Sequence, residues 1–173
     1  MTKYSIDLDD TVNFWYHPYL ERFGEPKDDY EITRNVFQTL RKDKDFWLTL
    51  PIKHRPDFNV WCYTTARVIN KQWIKEYIQI MDLPEAPVYQ VFGCHLSKVP
   101  QLKKSKCDCH VDDSLKHFIE ANLAGIPTLL MDAPSNQSWG PIGRVYSLDK
   151  CELEETYHLF KETIFPYFKE LVA

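Results

Sequence analysis

Three short stretches of the chain bring together side chains that could do chemistry. "YSIDLDDTVNF" (4–14) gathers Asp7, Asp9 and Asp10 with Thr11 behind an apolar run. "WCYTTAR" (61–67) ends in Thr64, Thr65 and Arg67, and "CHVDDS" (109–114) carries Asp112 and Asp113. Lys98 adds a positive charge just before the helix that leads into the third stretch. Carboxylates about 5 Å apart at an effective dielectric of about 20 repel by about 3 kcal/mol per pair. Several such pairs in one cleft require either raised pKa values or a cation among them. A hard divalent ion with oxygen ligands, most simply Mg²⁺, meets that requirement, taking one or two carboxylates and leaving positions open for phosphate oxygens. The hydroxyls of Thr64 and Thr65 and the ammonium of Lys98 would complete a phosphate-shaped pocket.

For these groups to converge, each must stand at the carboxyl end of a strand in one open sheet, where α/β folds bind ligands. The sequence has the required rhythm. Strand candidates are Lys3–Leu8, Asn59–Thr64, Pro87–Phe92, Cys107–Val111, Thr128–Met131 and Arg144–Leu148. Most are rich in β-branched and aromatic residues and apolar on both faces, as strands covered on both sides should be. Helix candidates lie between them. Residues 68–81 ("VINKQWIKEYIQIM") carry Ile69, Trp73, Tyr77 and Ile80 as one apolar stripe. Residues 114–125 open on a Ser114 cap and stop at Gly125. A last helix from about Leu153 carries Tyr157, Phe160, Ile164 and Phe168, with Pro166 as a kink or break.

This alternation predicts an α/β fold, a Rossmann-like three-layer sandwich with a mainly parallel sheet. Residues 13–56 interrupt it. They hold helical patches ("YHPYLERF", "YEITRNVFQTLRK") and aromatics but no strand. About 44 residues is too long for a plain connection, so they are expected to form a small helical cap inserted after the first strand. The expected division is a core of 1–12 and 57–173 and a cap of 13–56.

Composition narrows the function classes. With 173 residues, 44% apolar and 27% charged, the chain suits one globular unit rather than disorder. A net charge of −4 argues against a stable nucleic-acid partner held by phosphate neutralisation. Nothing reads as a signal peptide, and no apolar run approaches the roughly 20 residues that span a bilayer. Five cysteines without framework spacing suit free thiols, so a cytoplasmic location without membrane association is expected.

Taken together, the motifs resemble those of the haloacid dehalogenase (HAD) superfamily of phosphotransferases. "IDLDDT" looks like its first motif, an apolar strand followed by DxDx[T/V], and "VWCYTTAR" looks like its second. Lys98 stands 14 residues before Asp112, a spacing similar to its third and fourth motifs. "HVDDS…ANLAGIPTLLMD" resembles the family's usual ending, and the resemblance covers most of residues 3–148. It implies that Asp7 is a nucleophile forming an aspartyl-phosphate and that Asp9 is the acid/base, its carbonyl also helping to hold Mg²⁺. Asp112 and Asp113, with Asp7, would bind the metal, and Lys98 would neutralise phosphate charge. Thr65 is the first choice for the phosphate-binding hydroxyl and Thr64 the alternative. Asp10 stands where many members carry glycine.

Within the superfamily the chain looks most like 5′(3′)-deoxyribonucleotidases, through "DDTVNFW", "DFWLTLP" (45–51) and "MDAPSNQSW" (131–139). The implied substrate is a small phosphomonoester, a nucleoside monophosphate. Trp15, Phe46 and Trp47, with Arg67, are the candidate substrate-binding residues; the same aromatics would equally suit the core of a cap. A polynucleotide 3′-phosphatase and a non-catalytic Mg²⁺- or nucleotide-binding regulator remain as alternatives. Cys107, Cys109 and His110 read as packing residues of a strand, because no second ligand pair follows at metal-site spacing.

Overall fold

The computed structural model describes residues 1–172. Its centre is a six-stranded, all-parallel sheet in the order β3-β2-β1-β4-β5-β6. The strands are β1 (Tyr4–Asp7), β2 (Cys62–Thr65), β3 (Val88–Gln90), β4 (Cys109–Asp112), β5 (Thr128–Met131) and β6 (Arg144–Val145). All residues of β1, β2, β4 and β5 are buried, which accounts for their lack of apolar–polar alternation. The protein is therefore α/β and Rossmann-like. The strand order runs outward in both directions from β1 and β4, making the crevice between them the topological switch point. Register sets Ile6 beside Val111 and Asp7 beside Thr64, so the chemistry-bearing residues emerge at one edge.

Helices α4 (Lys71–Ile80), α5 (Val99–Ser105), α6 (Leu115–Leu123), α7 (Lys150–Thr163) and α8 (Phe165–Leu171) follow the strands and flank the sheet. Ser114 caps α6 through the His117 amide, and Gly125, at φ 82°, supplies the left-handed turn beyond its end. α7 begins at Lys150, capped by Asp149, and breaks at Ile164 before Pro166 in the first turn of α8. Phe118, Phe160 and Phe168 hold α6, α7 and α8 together at ring separations of 6.0 to 6.2 Å.

Three expected details shift, one being that β3 and β6 end two and three residues earlier than expected. The buried face of α4 is Ile74, Tyr77 and Ile78, and Ile80 is exposed. The helix starts only at Lys71, so Ile69 lies in the preceding loop, where it is buried all the same, and Trp73 packs against the core as expected. Strands β2 and β4 begin two to three residues later than expected, because Asn59–Trp61 and Cys107 lie in the connections.

Between β1 and β2 the chain forms α1 (Tyr16–Phe23), α2 (Asp29–Gln38), a 3₁₀ turn at Leu40–Lys42 and α3 (Lys44–Leu48). Asp28 and Asp43 cap α2 and α3. Trp47 anchors the insertion, fully buried and donating from Nε1 to the Leu40 carbonyl at 2.7 Å. Tyr77 of α4 reaches across to donate to the Leu50 carbonyl at 2.9 Å. Among the described residues no helix is long and apolar enough to cross a membrane.

Candidate active site

Asp7 ends β1 with its side chain 5% exposed. Its Oδ1 accepts from Lys98 Nζ at 2.5 Å and from the Thr64 hydroxyl at 3.4 Å, which leaves Oδ2 outside both contacts. Lys98, just before α5, also donates to Asp112 Oδ2 at 2.7 Å and thus bridges β1 and β4 across the switch point. Asp112 is wholly buried. Its Oδ1 takes the Ser114 amide at 2.9 Å, and its Oδ2 meets His110 Nε2 at 3.0 Å and His117 Nδ1 at 3.5 Å.

Asp7, Asp112 and Asp113 each turn a carboxylate oxygen to one point, all within 4.8 Å of one another. Opposite oxygens around a small octahedral cation stand about 4.2 Å apart, so little closing would be needed to share one. The electrostatics point the same way. Burial, then repulsion from Asp112, drives the Asp7 carboxyl well above its usual range against the pull of Lys98. Burial and the charges of Asp112 and Asp7 do the same to Asp113. Burial would also raise Asp112, but Lys98 and the two histidines outweigh it and hold this carboxyl well below its usual range. One ammonium does not balance three converging carboxylates. The donor set is oxygen only, which fits a hard cation rather than zinc or copper.

Asp9 belongs to a neighbouring cluster. Its Oδ1 accepts from Arg67 Nε at 2.9 Å and Nη2 at 2.7 Å, while Oδ2 accepts from Arg67 Nε and the Thr65 hydroxyl at 3.2 Å each. The two threonines therefore divide, Thr64 on Asp7 and Thr65 on Asp9. Asp10 has φ 56°, a left-handed conformation that glycine or aspartate tolerates best. Its Oδ1 accepts from the amides of Trp15 and Tyr16 at 2.9 and 3.1 Å and closes the open start of α1.

Above these strand ends lies a cavity of about 270 Å³. Asp7, Asp9, Asp10, Lys98, Asp112 and Asp113 form its floor. The insertion lends Trp15, Ile32, Thr33, Val36, Phe37 and Trp47 to its wall, and the loops after β2 and β3 complete it with Val68, Cys94 and His95. Of the three aromatics expected at a substrate, Trp15 and Trp47 border the cavity. Phe46 does not; it packs edge-on against Trp47 at 5.2 Å.

No protein-family model matches the chain. A nucleotidase of Clostridium acetobutylicum is similar to it, 27% identical over 158 aligned residues that span 86% of this chain and 78% of that protein.

Several site residues escape a sequence reading. His110 reads from the sequence only as a packing residue and nothing there marks His117, yet both touch Asp112 Oδ2. His117 sits three residues past the Ser114 cap, so its place in the first turn after Asp112 and Asp113 was the available signal. Lys53 donates to the carbonyls of Asp10 and Asp132, both at 2.9 Å, and pins the end of the insertion to two strand ends. Nothing in its sequence context marks it.

Proposed function

We propose that this protein is a Mg²⁺-dependent phosphomonoesterase of the HAD type that dephosphorylates nucleoside monophosphates, as a 5′(3′)-deoxyribonucleotidase does. The observation that carries the reading is the floor of the cavity. A buried carboxylate at the switch point touches a buried lysine, two further carboxylates converge on it, and an apolar wall stands opposite. Similarity to a protein named as a nucleotidase supports the substrate class.

In this reading Asp7 attacks the phosphorus through a carboxylate oxygen while Lys98 offsets the charge gathering on the phosphoryl oxygens. Asp9 gives a proton to the departing sugar oxygen, then takes one from the water that cleaves the phospho-Asp7 bond. The Thr64 hydroxyl, beside Asp7, is better placed than that of Thr65 to bind a phosphoryl oxygen. Asp7, Asp112, Asp113 and the Asp9 carbonyl would hold Mg²⁺, which when bound supplies positive charge for the phosphate oxygens. Residues 13–56 would serve as the cap over the core of 1–12 and 57–173. Trp15 would face the base, where stacking on an aromatic is worth about 1–3 kcal/mol, and Trp47, fully buried, would back the wall without touching the base. Five free cysteines suit a cytosolic enzyme.

The test is phosphate release from dTMP, dUMP, dGMP, UMP, a sugar phosphate and a 3′-phosphorylated oligonucleotide, with Mg²⁺ and with EDTA. Metal-dependent turnover favouring deoxyribonucleotides is expected. Preference for the oligonucleotide would favour a polynucleotide 3′-phosphatase, and silence from folded, Mg²⁺-binding protein would leave a binding module.

A further inference from the structure

Arg67 borders the cavity, yet its chemistry is directed inward. Its side chain is 1% exposed, and two of its three nitrogens are committed to Asp9. The third, Nη1, is buried without a hydrogen-bond partner among the described residues. Only Nη1 could meet a substrate without giving up the Asp9 contact, and it is buried. Trp47 and Tyr77 both pack against its guanidinium, with ring centroids 5.0 and 5.1 Å from Cζ. Trp47 belongs to α3 of the insertion, and Tyr77 is bonded to the insertion through the Leu50 carbonyl. One aromatic neighbour of Arg67 therefore belongs to the insertion, and the other is hydrogen-bonded to it. The backbone is fixed as well. The Arg67 amide donates to the Thr65 hydroxyl at 3.1 Å, and its carbonyl accepts from Gln90 Nε2 at 2.7 Å.

We infer that Arg67 is a positioning residue that couples the helical insertion to Asp9: the seated insertion holds the guanidinium fork, and the fork fixes the acid/base carboxylate. The inference rests on the proposed role of Asp9. A planar fork fixes both oxygens of a carboxylate in a way that a lysine ammonium cannot, and aromatic contacts favour guanidinium over ammonium. With the fork lost, Asp9 keeps its chemistry but not its orientation. Proton delivery to the leaving oxygen then falters, whereas attack by Asp7 and charge neutralisation by Lys98 do not.

Leaving groups separate this role from a structural one. A deoxyribonucleoside 5′-phosphate releases a poor leaving group that needs a proton; p-nitrophenyl phosphate releases a good one that does not. Hydrolysis of phospho-Asp7 is common to both substrates, so the informative step is the first, read as alcohol released in a single turnover with Mg²⁺ present. Arg67→Lys is expected to slow that step about 100-fold or more for the nucleotide, the scale of general acid catalysis, and by less than about threefold for the aryl ester. Trp47→Phe, which keeps a ring but loses the Leu40 bond, is expected to shift the ratio the same way by a smaller factor, which keeps the test open if Arg67→Lys fails to fold. Phe168→Leu, in the distant α6–α8 packing, is expected to lower the melting temperature and leave the ratio unchanged. Equal losses on both substrates, or none on either, in Arg67→Lys and Trp47→Phe would overturn the inference. If wild type turns over neither substrate, or Asp7→Asn leaves turnover intact, the proposed function itself falls; if those hold and only the ratio fails to move, the coupling alone falls.

Discussion

The floor and the wall of the cavity are built on opposite principles. On the floor, Asp7, Lys98 and Asp112 are each at most 5% exposed and locked by ionic contacts of 2.5 and 2.7 Å, the two carboxylates set by strand register and Lys98 by the start of α5. On the wall, α2 buries none of its residues fully, and Ile32, Val36 and Phe37 stand half-exposed over the cavity. The floor is dense and charged, with one buried ammonium shared by two buried carboxylates. The wall is loosely packed apolar surface, which belongs to the low-stability end of a fold, where ligand-binding segments are found. On the proposed function, chemistry would reside in the tightly held part and recognition in the loosely packed one.

The sharpest way to break this division is at Asp7. Asp7→Asn is expected to leave the melting temperature near that of wild type and reduce phosphate release to below a few per cent of it. A variant that keeps more than that would remove the nucleophile from the floor. Lys98→Met should act on stability as well as rate. Removing one partner from a buried ion pair costs about 3–5 kcal/mol, and Lys98 compensates two carboxylates at once. Urea unfolding in EDTA is expected to show a loss of that order. Added Mg²⁺ should restore part of it, because a cation among Asp7, Asp112 and Asp113 relieves the same repulsion. No recovery with Mg²⁺ would argue that these carboxylates hold no metal.

The same contrast explains what was legible in the sequence. Floor residues follow apolar strands, and parallel pairing delivers strand ends to one edge, so Asp7, Asp112, Asp113 and the Thr64–Thr65 pair could be placed at that edge, but not which threonine stands beside Asp7. Lys98 was legible only through its distance to Asp112. The partners of these groups were not. His110 and His117 meet at one oxygen of Asp112 from a strand and a helix, and no one-dimensional pattern encodes that meeting. The wall was harder still. Ile32 and Val36 at i and i+4 look like any helix face turned to a core, and nothing local states that a cavity replaces the core there. Phe46 and Trp47 are adjacent in sequence yet diverge, Trp47 to the cavity and Arg67, Phe46 to the rim of α3. Around α4 the expected stripe holds at Ile69, Trp73 and Tyr77 but fails at Ile80, which is exposed while Ile74 and Ile78 are buried, because a 3.6-residue period tolerates either neighbouring line.

A change on the wall should show the reverse signature to one on the floor. Val36→Ala removes two half-exposed methyl groups, worth about 1 kcal/mol of contact, and that corresponds to about a fivefold change in binding. The expected result is a KM for nucleotide raised by that factor, an unchanged kcat, and a melting temperature within about 2 °C of wild type. A fall in kcat with no change in KM would show that the wall acts in the chemical step and erase the distinction.

The smallest expected effect tests how the wall is held. Asp43 caps α3 by accepting from the Phe46 amide at 3.0 Å, and its other oxygen takes Arg22 of α1, so one carboxylate joins two helices of the insertion. The Phe46 amide and then Arg22 hold this carboxyl below its usual range. A carboxyl with a lowered folded-state pKa stabilises above its unfolded value, about 4, and loses that contribution as the pH falls through the folded value. Asp43→Ala should therefore cost about 1 kcal/mol at pH 7, with the gap between variant and wild type closing below about pH 4. Hydrogen exchange should localise the loss to α1 and α3, with the amides of β1 and β4 unchanged. Faster exchange in those two strands as well would mean that floor and wall open as one unit.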